Sequence, residues 1–164
     1  MKTALPIILA ACLVSSARAA TLILTASLDG AQEAPVPVVT TGTGAATMTI
    51  DDVTGVWSLT GTFSSLLANA SNAHIHGPAP VGLAAGVVKG LAFTAAASGS
   101  VSGSSVATGV YSAVQIADLK NGLHYVNIHS TSFPGGEIRG QLIPEPSTVL
   151  LGGFAAGILL RRRR

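Results

Sequence analysis

Four residues of this 164-residue chain have the types and spacing of a metal site: His74 and His76, one residue apart, with His129 and Glu137 further along. Imidazole nitrogens take zinc or copper at about 2.0–2.1 Å, and a carboxylate or a water can complete the shell. A His-x-His pair on a β-strand delivers two imidazoles from one side, because side chains two apart share a face. The same histidines also fit a role without metal, in which they hydrogen-bond loop carbonyls near Gly77-Pro78 and Pro134-Gly135 and pin two turns. Little else in the chain can do chemistry. There is no G-x-S-x-G elbow, the single cysteine lies far from these residues at Cys12, and the few carboxylates show no spacing of an acid/base pair. Glu137 and Arg139 read as a surface ion pair worth about 0–1 kcal/mol. An enzyme is therefore less expected than a binding protein.

The elements that must position these groups are strands. Short runs rich in Val, Ile, Thr and Leu, at residues 21–28, 45–50, 56–63, 73–76, 87–93, 106–111, 123–130 and 137–143, alternate with Gly, Pro, Asn and Ser punctuation. About eight strands at this spacing predict an all-β fold, a Greek-key-like sandwich or flattened barrel. One short helix is expected at 112–121, capped by Ser112 and stopped by Gly122. Residues 51–55 and 134–136 read as tight turns, and 97–105 as a flexible Gly/Ser loop. Strand parity then sorts the side chains. With Ile75, Val126, Ile128, Ile138 and Leu142 inward, His74, His76, Tyr125, Asn127, His129, Glu137, Arg139 and Gln141 fall on one outward polar face, and His124 on the other side. Trp57, in step with Leu59 and Phe63, reads as core.

Charge excludes one class of function. Between residues 20 and 143 the acids Asp29, Glu33, Asp51, Asp52, Asp118 and Glu137 outnumber the bases Lys89, Lys120 and Arg139. The basic balance of the whole chain comes from its ends, and no basic patch supports nucleic-acid binding. A lone cysteine allows no intramolecular disulfide, so stability must come from packing.

Both ends look like sorting signals. Lys2, an apolar segment and Ala17-Arg18-Ala19 form a secretory pattern over residues 1–19 that implies signal peptidase as a partner, although Leu9-Ala10-Ala11-Cys12 also fits a lipoprotein box. At the other end, residues 144–164 comprise Pro144-Glu145-Pro146, a thirteen-residue apolar run and four arginines. The run is short against the roughly 20 residues that a membrane helix needs. This tail resembles the PEP-CTERM sorting signal. The resemblance implies an exosortase-type membrane transpeptidase, a tail transiently held in the inner membrane, and delivery to the surface or matrix of a Gram-negative cell, where an exopolysaccharide or surface proteins would be the partners.

Three blocks carry a second resemblance: Leu28-Asp29-Gly30-Ala31-Gln32-Glu33-Ala34-Pro35, Ala73-His74-Ile75-His76-Gly77-Pro78-Ala79-Pro80, and Tyr125-Val126-Asn127-Ile128-His129 leading to Gly135-Gly136-Glu137-Ile138-Arg139-Gly140-Gln141-Leu142. In this order they resemble the CHRD domain, the module named after chordin. It implies a β-rich extracellular binding or structural module over residues 20–143, without a catalytic reaction to carry over. The alternative expectation is a His-coordinated copper or zinc protein, with redox activity in reach if the metal is copper.

Overall fold

The computed structural model describes residues 20–146. Ten strands and two helices follow in order: β1 (Thr21–Asp29), β2 (Thr43–Asp51), β3 (Trp57–Ser64), β4 (Ala70–His76), β5 (Val87–Gly90), β6 (Ala92–Phe93), β7 (Gly99–Ser104), α1 (Ser105–Thr108), α2 (Ala113–Lys120), β8 (Tyr125–Ser130), β9 (Ile138–Gln141) and β10 (Ile143–Pro144). A 3₁₀ turn at Gly30–Gln32 follows β1, with Asp29 as its cap.

The antiparallel sheet runs β5-β4-β8-β9-β1-β2-β3-β7-β6, with β10 added along β1. Its two ends are one continuous stretch of chain. β5 pairs with β4, the Leu91 amide donates to Ala73 O at 3.0 Å, and β6 then pairs with β7. A kink at Leu91 thus nearly closes the sheet into a barrel, which removes most of the exposed edge that an open sheet would present. This is the Greek-key-like β fold expected from the strand pattern.

Period-two alternation fills the interior. Leu24, Ala26 and Leu28 of β1, Met48 and Ile50 of β2, and Trp57, Leu59 and Phe63 of β3 are buried, while their Thr and Ser neighbours face out. Trp57 is core as expected: it is 2 % exposed, donates to Gly109 O at 2.9 Å and meets Tyr111 edge-on. The β2–β3 connection is the turn expected at residues 51–55, with Asp51 Oδ1 accepting from the Val53 and Thr54 amides.

Two local expectations change. Residues 97–105 are not a loop: Gly99–Ser104 forms β7, in register with β3 from Ser58↔Ser104 to Phe63↔Gly99. Small residues suit this place, because a Cβ at Gly103 would lie 2.9 Å from the Trp57 ring and 2.6 Å from Leu91. The strand expected at 106–111 is instead the single turn α1 followed by Gly109 at φ +77°. By contrast, α2 starts where its cap predicts. Ser112 Oγ accepts the Gln115 amide at 3.3 Å and Gln115 Oε1 accepts the Ser112 amide at 3.0 Å, a capping box.

The C-terminal expectations need correction. An exosortase-type enzyme would need the Pro144-Glu145-Pro146 motif free of the domain. Instead, Ile143 and Pro144 pair with Thr25 and Leu24, the Glu145 amide donates to Ile23 O at 2.8 Å, and Thr25 Oγ1 donates to Glu145 Oε1 at 2.6 Å. Two residues of the Pro144-Glu145-Pro146 motif are thereby tied into the barrel. Among the described residues no helix is long and apolar enough to cross a membrane. Nothing in the described residues supports the expected membrane anchoring, the inner-membrane location or the exosortase-type and signal-peptidase partners, and these expectations do not stand. The segment 1–19 with Cys12, and the apolar run with its arginines, lie outside the described residues.

Candidate metal centre

β4, β8 and β9 are adjacent, so their outward side chains form rows: His76 beside Tyr125 and Gln141, and His74 beside Asn127 and Arg139. His129 lies one step along β8, opposite Asn72. Parity is as expected, but the face does not look into solvent. Every residue of β8 and β9 is buried. Loops lie over it: Gln141 Nε2 donates to Ala79 O and Gly122 O, the Ala85 amide donates to Tyr125 Oη, and Asn127 Nδ2 donates to Glu33 Oε2. Long connections, invisible to strand periodicity, turn an outer surface into a second polar interior.

Within it, His74, His76 and His129 converge. One nitrogen from each lies within 4.8 Å of the others, and the ring centroids are 5.1, 5.5 and 6.1 Å apart. Two of the rings are oriented by backbone. His129 Nδ1 lies 2.9 Å from Pro134 O, and His76 Nδ1 lies 3.0 Å from Ala85 O. A carbonyl only accepts, so each Nδ1 carries the proton and each Nε2 presents a lone pair. The His76 Nε2 is buried without a partner. His129 Nε2 accepts from His74 Nδ1 at 3.2 Å, which makes His74 the Nδ1–H tautomer. Burial holds all three imidazoles below their ordinary value of 6.5, and their mutual repulsion lowers His74 further. They are neutral near pH 7, the state in which imidazole binds metal.

Glu137 is brought close in sequence register but engaged elsewhere. Its Oε1 accepts from Thr40 Oγ1 at 2.6 Å and from the Leu67 amide at 2.7 Å, and it does not join the cluster. The expected surface pair with Arg139 is absent, since Glu137 is 0 % and Arg139 2 % exposed. Arg139 instead lies 3.5 Å over the Tyr125 ring, whose other neighbour is His76, stacked at 5.1 Å and 7°. The guanidinium also donates to Gln141 Oε1 at 3.3 Å. His124, on the inner side as expected, is fully buried against Tyr111.

Sequence reasoning missed Glu33. The residue is 6 % exposed, and desolvation pushes its carboxyl up to about 7 against the opposing pull of Arg139 and Asn127. Gly136, at φ +128°, permits this packing: a Cβ there would lie 2.6 Å from Asn127 and 2.8 Å from Glu33 Oε1. Its place in the first of the three CHRD-like blocks, just after the turn-forming Asp29-Gly30 pair, was the signal that could have drawn attention to it.

No curated protein and no solved structure gives a significant match to the chain. The family comparison matches residues 24–142 to the CHRD domain, an interval that begins within β1, ends at Leu142 and contains the three clustered histidines. With most of the barrel inside that match, the chain belongs to the CHRD domain family.

Proposed function

We propose that this CHRD domain is a metal-binding module that holds a divalent transition ion, copper or zinc, on His74, His76 and His129. The observation that carries the reading is the paired orientation of His76 and His129. The Ala85 and Pro134 carbonyls, on two separate loops, accept from Nδ1, which leaves both Nε2 lone pairs free in a cluster where one ring nitrogen of each histidine lies within 4.8 Å of the others. Metal-ligating histidines ordinarily have their second nitrogen fixed in this way, and such partners contribute about 10–100-fold to affinity. An all-imidazole set suits copper and zinc, with Cu²⁺ the tighter of the two. His74 joins by moving its proton from Nδ1 to Nε2, a tautomeric change that costs no net charge.

The experiment is elemental analysis of the protein purified without a polyhistidine tag, followed by titration with Cu²⁺ and Zn²⁺. Near-stoichiometric binding is expected, with His129→Ala weakening it at least tenfold while circular dichroism stays that of a β barrel. A folded wild type that retains neither ion would leave the histidines as turn-pinning groups only.

A further inference from the structure

We propose that this centre keeps one coordination position open toward the gap beside Gly90 and binds a small anion there. The inference rests on the metal reading above and extends it to an exogenous ligand.

Three observations support it. First, the protein supplies three ligands. Among the described residues no further His, Cys, Asp or Glu joins the cluster, and Glu137 is engaged with Thr40 and Leu67. Structural zinc sites are closed by four protein ligands, whereas sites with three leave a position for an exchangeable group. Second, the opening has a definite direction. His76 and His129 are buried, while His74 is only partly so. On one side of His74 stands Asn127; on the other, its cross-strand partner in β5 is Gly90. Residues directly opposite in an antiparallel pair share a face. A Cβ at Gly90 would meet nothing within 4 Å, so open space adjoins the most accessible of the three imidazoles. Third, the charge is one-sided. Three neutral imidazoles leave an ion's double charge uncompensated by its protein ligands. A partly desolvated excess of positive charge favours an incoming anion over a neutral ligand.

The geometry thus fits a compact, monodentate anion such as azide, formate or hydroxide. Nothing larger is required by the gap.

The test uses the Co²⁺-loaded protein and follows its visible ligand-field absorption during azide titration. A saturable spectral change with Co²⁺ retained is expected. Gly90→Leu, which places a side chain beside His74, should weaken that azide response at least tenfold. If Co²⁺ stays bound but saturating azide leaves the spectrum unmoved, the position is closed and the inference is overturned. An azide affinity unaltered by Gly90→Leu would overturn the route. Failure of the protein to take up Co²⁺, Cu²⁺ or Zn²⁺ at all would instead remove the metal reading, and this inference with it.

Discussion

Two backbone carbonyls, those of Ala85 and Pro134, decide which nitrogen of His76 and of His129 is free, and the burial of both rings keeps that nitrogen unprotonated at neutral pH. Protons and metal compete for the same lone pairs, so metal should be released as pH falls below about 6.5, the ordinary imidazole value; a Zn²⁺ titration at stepped pH reads this directly. Glu33 titrates with the opposite consequence. Between its ordinary value of 4.5 and its folded value of about 7, the unfolded chain gives up the proton and the folded chain keeps it. Stability from this group is therefore present below 4.5, declines across that window and is lost above it. The histidines, whose folded values lie below 6.5, subtract stability as pH drops instead. Thermal melts of Glu33→Gln should gain on wild type near pH 8 and match it near pH 4; a constant offset at all pH values would contradict the assignment. Gly136→Ala, forced into a left-handed conformation against Asn127 and Glu33, should cost about 1–3 kcal/mol in denaturant melts.

At the scale of elements, rules differ in how far they reach. The α2 start was legible because a capping box is local: Ser112 and Gln115 satisfy each other whatever the rest of the chain does. Ser112→Ala should cost about 1 kcal/mol, measurable by urea denaturation. β7 was illegible for the opposite reason. Its Gly and Ser residues have low strand propensity, and only pairing with β3 beneath Trp57 makes them a strand. The stretch from Val106 to Tyr111 erred the other way. Its valines favour a strand, yet Val106 is almost fully exposed at 96 %, and the local turn of α1 hands Gly109 O to the Trp57 indole. Trp57→Ala, which removes both that bond and the largest inner side chain of β3, should destabilise by about 3–5 kcal/mol.

For the whole molecule, the pairing of β4 with β8, strands about fifty residues apart in sequence, is the step that creates the site. It places His129 beside β4, while β5 on the other side of β4 sets Gly90 against His74. A metal held by segments from across the barrel binds only the folded state. Free ion at 100 times its Kd should raise stability by about 2.7 kcal/mol, and a chelator should reverse the gain; a melt indifferent to both would argue against the centre.

Short-range information settled much about this protein. Alternation of small β-branched and polar residues specified strands and their inward faces, and with them the common face of His74, His76 and His129. Three ordered blocks marked the CHRD domain. What tertiary structure alone decided was the environment of that face. Parity tells which way a side chain leaves the backbone, but not what covers it. Only the folded chain could lay loops over β8 and β9, bury Arg139 and Glu33, draw Glu137 toward Thr40, and tie Pro144 and Glu145 to β1. Those contacts join residues scores of positions apart, where local propensity carries no information.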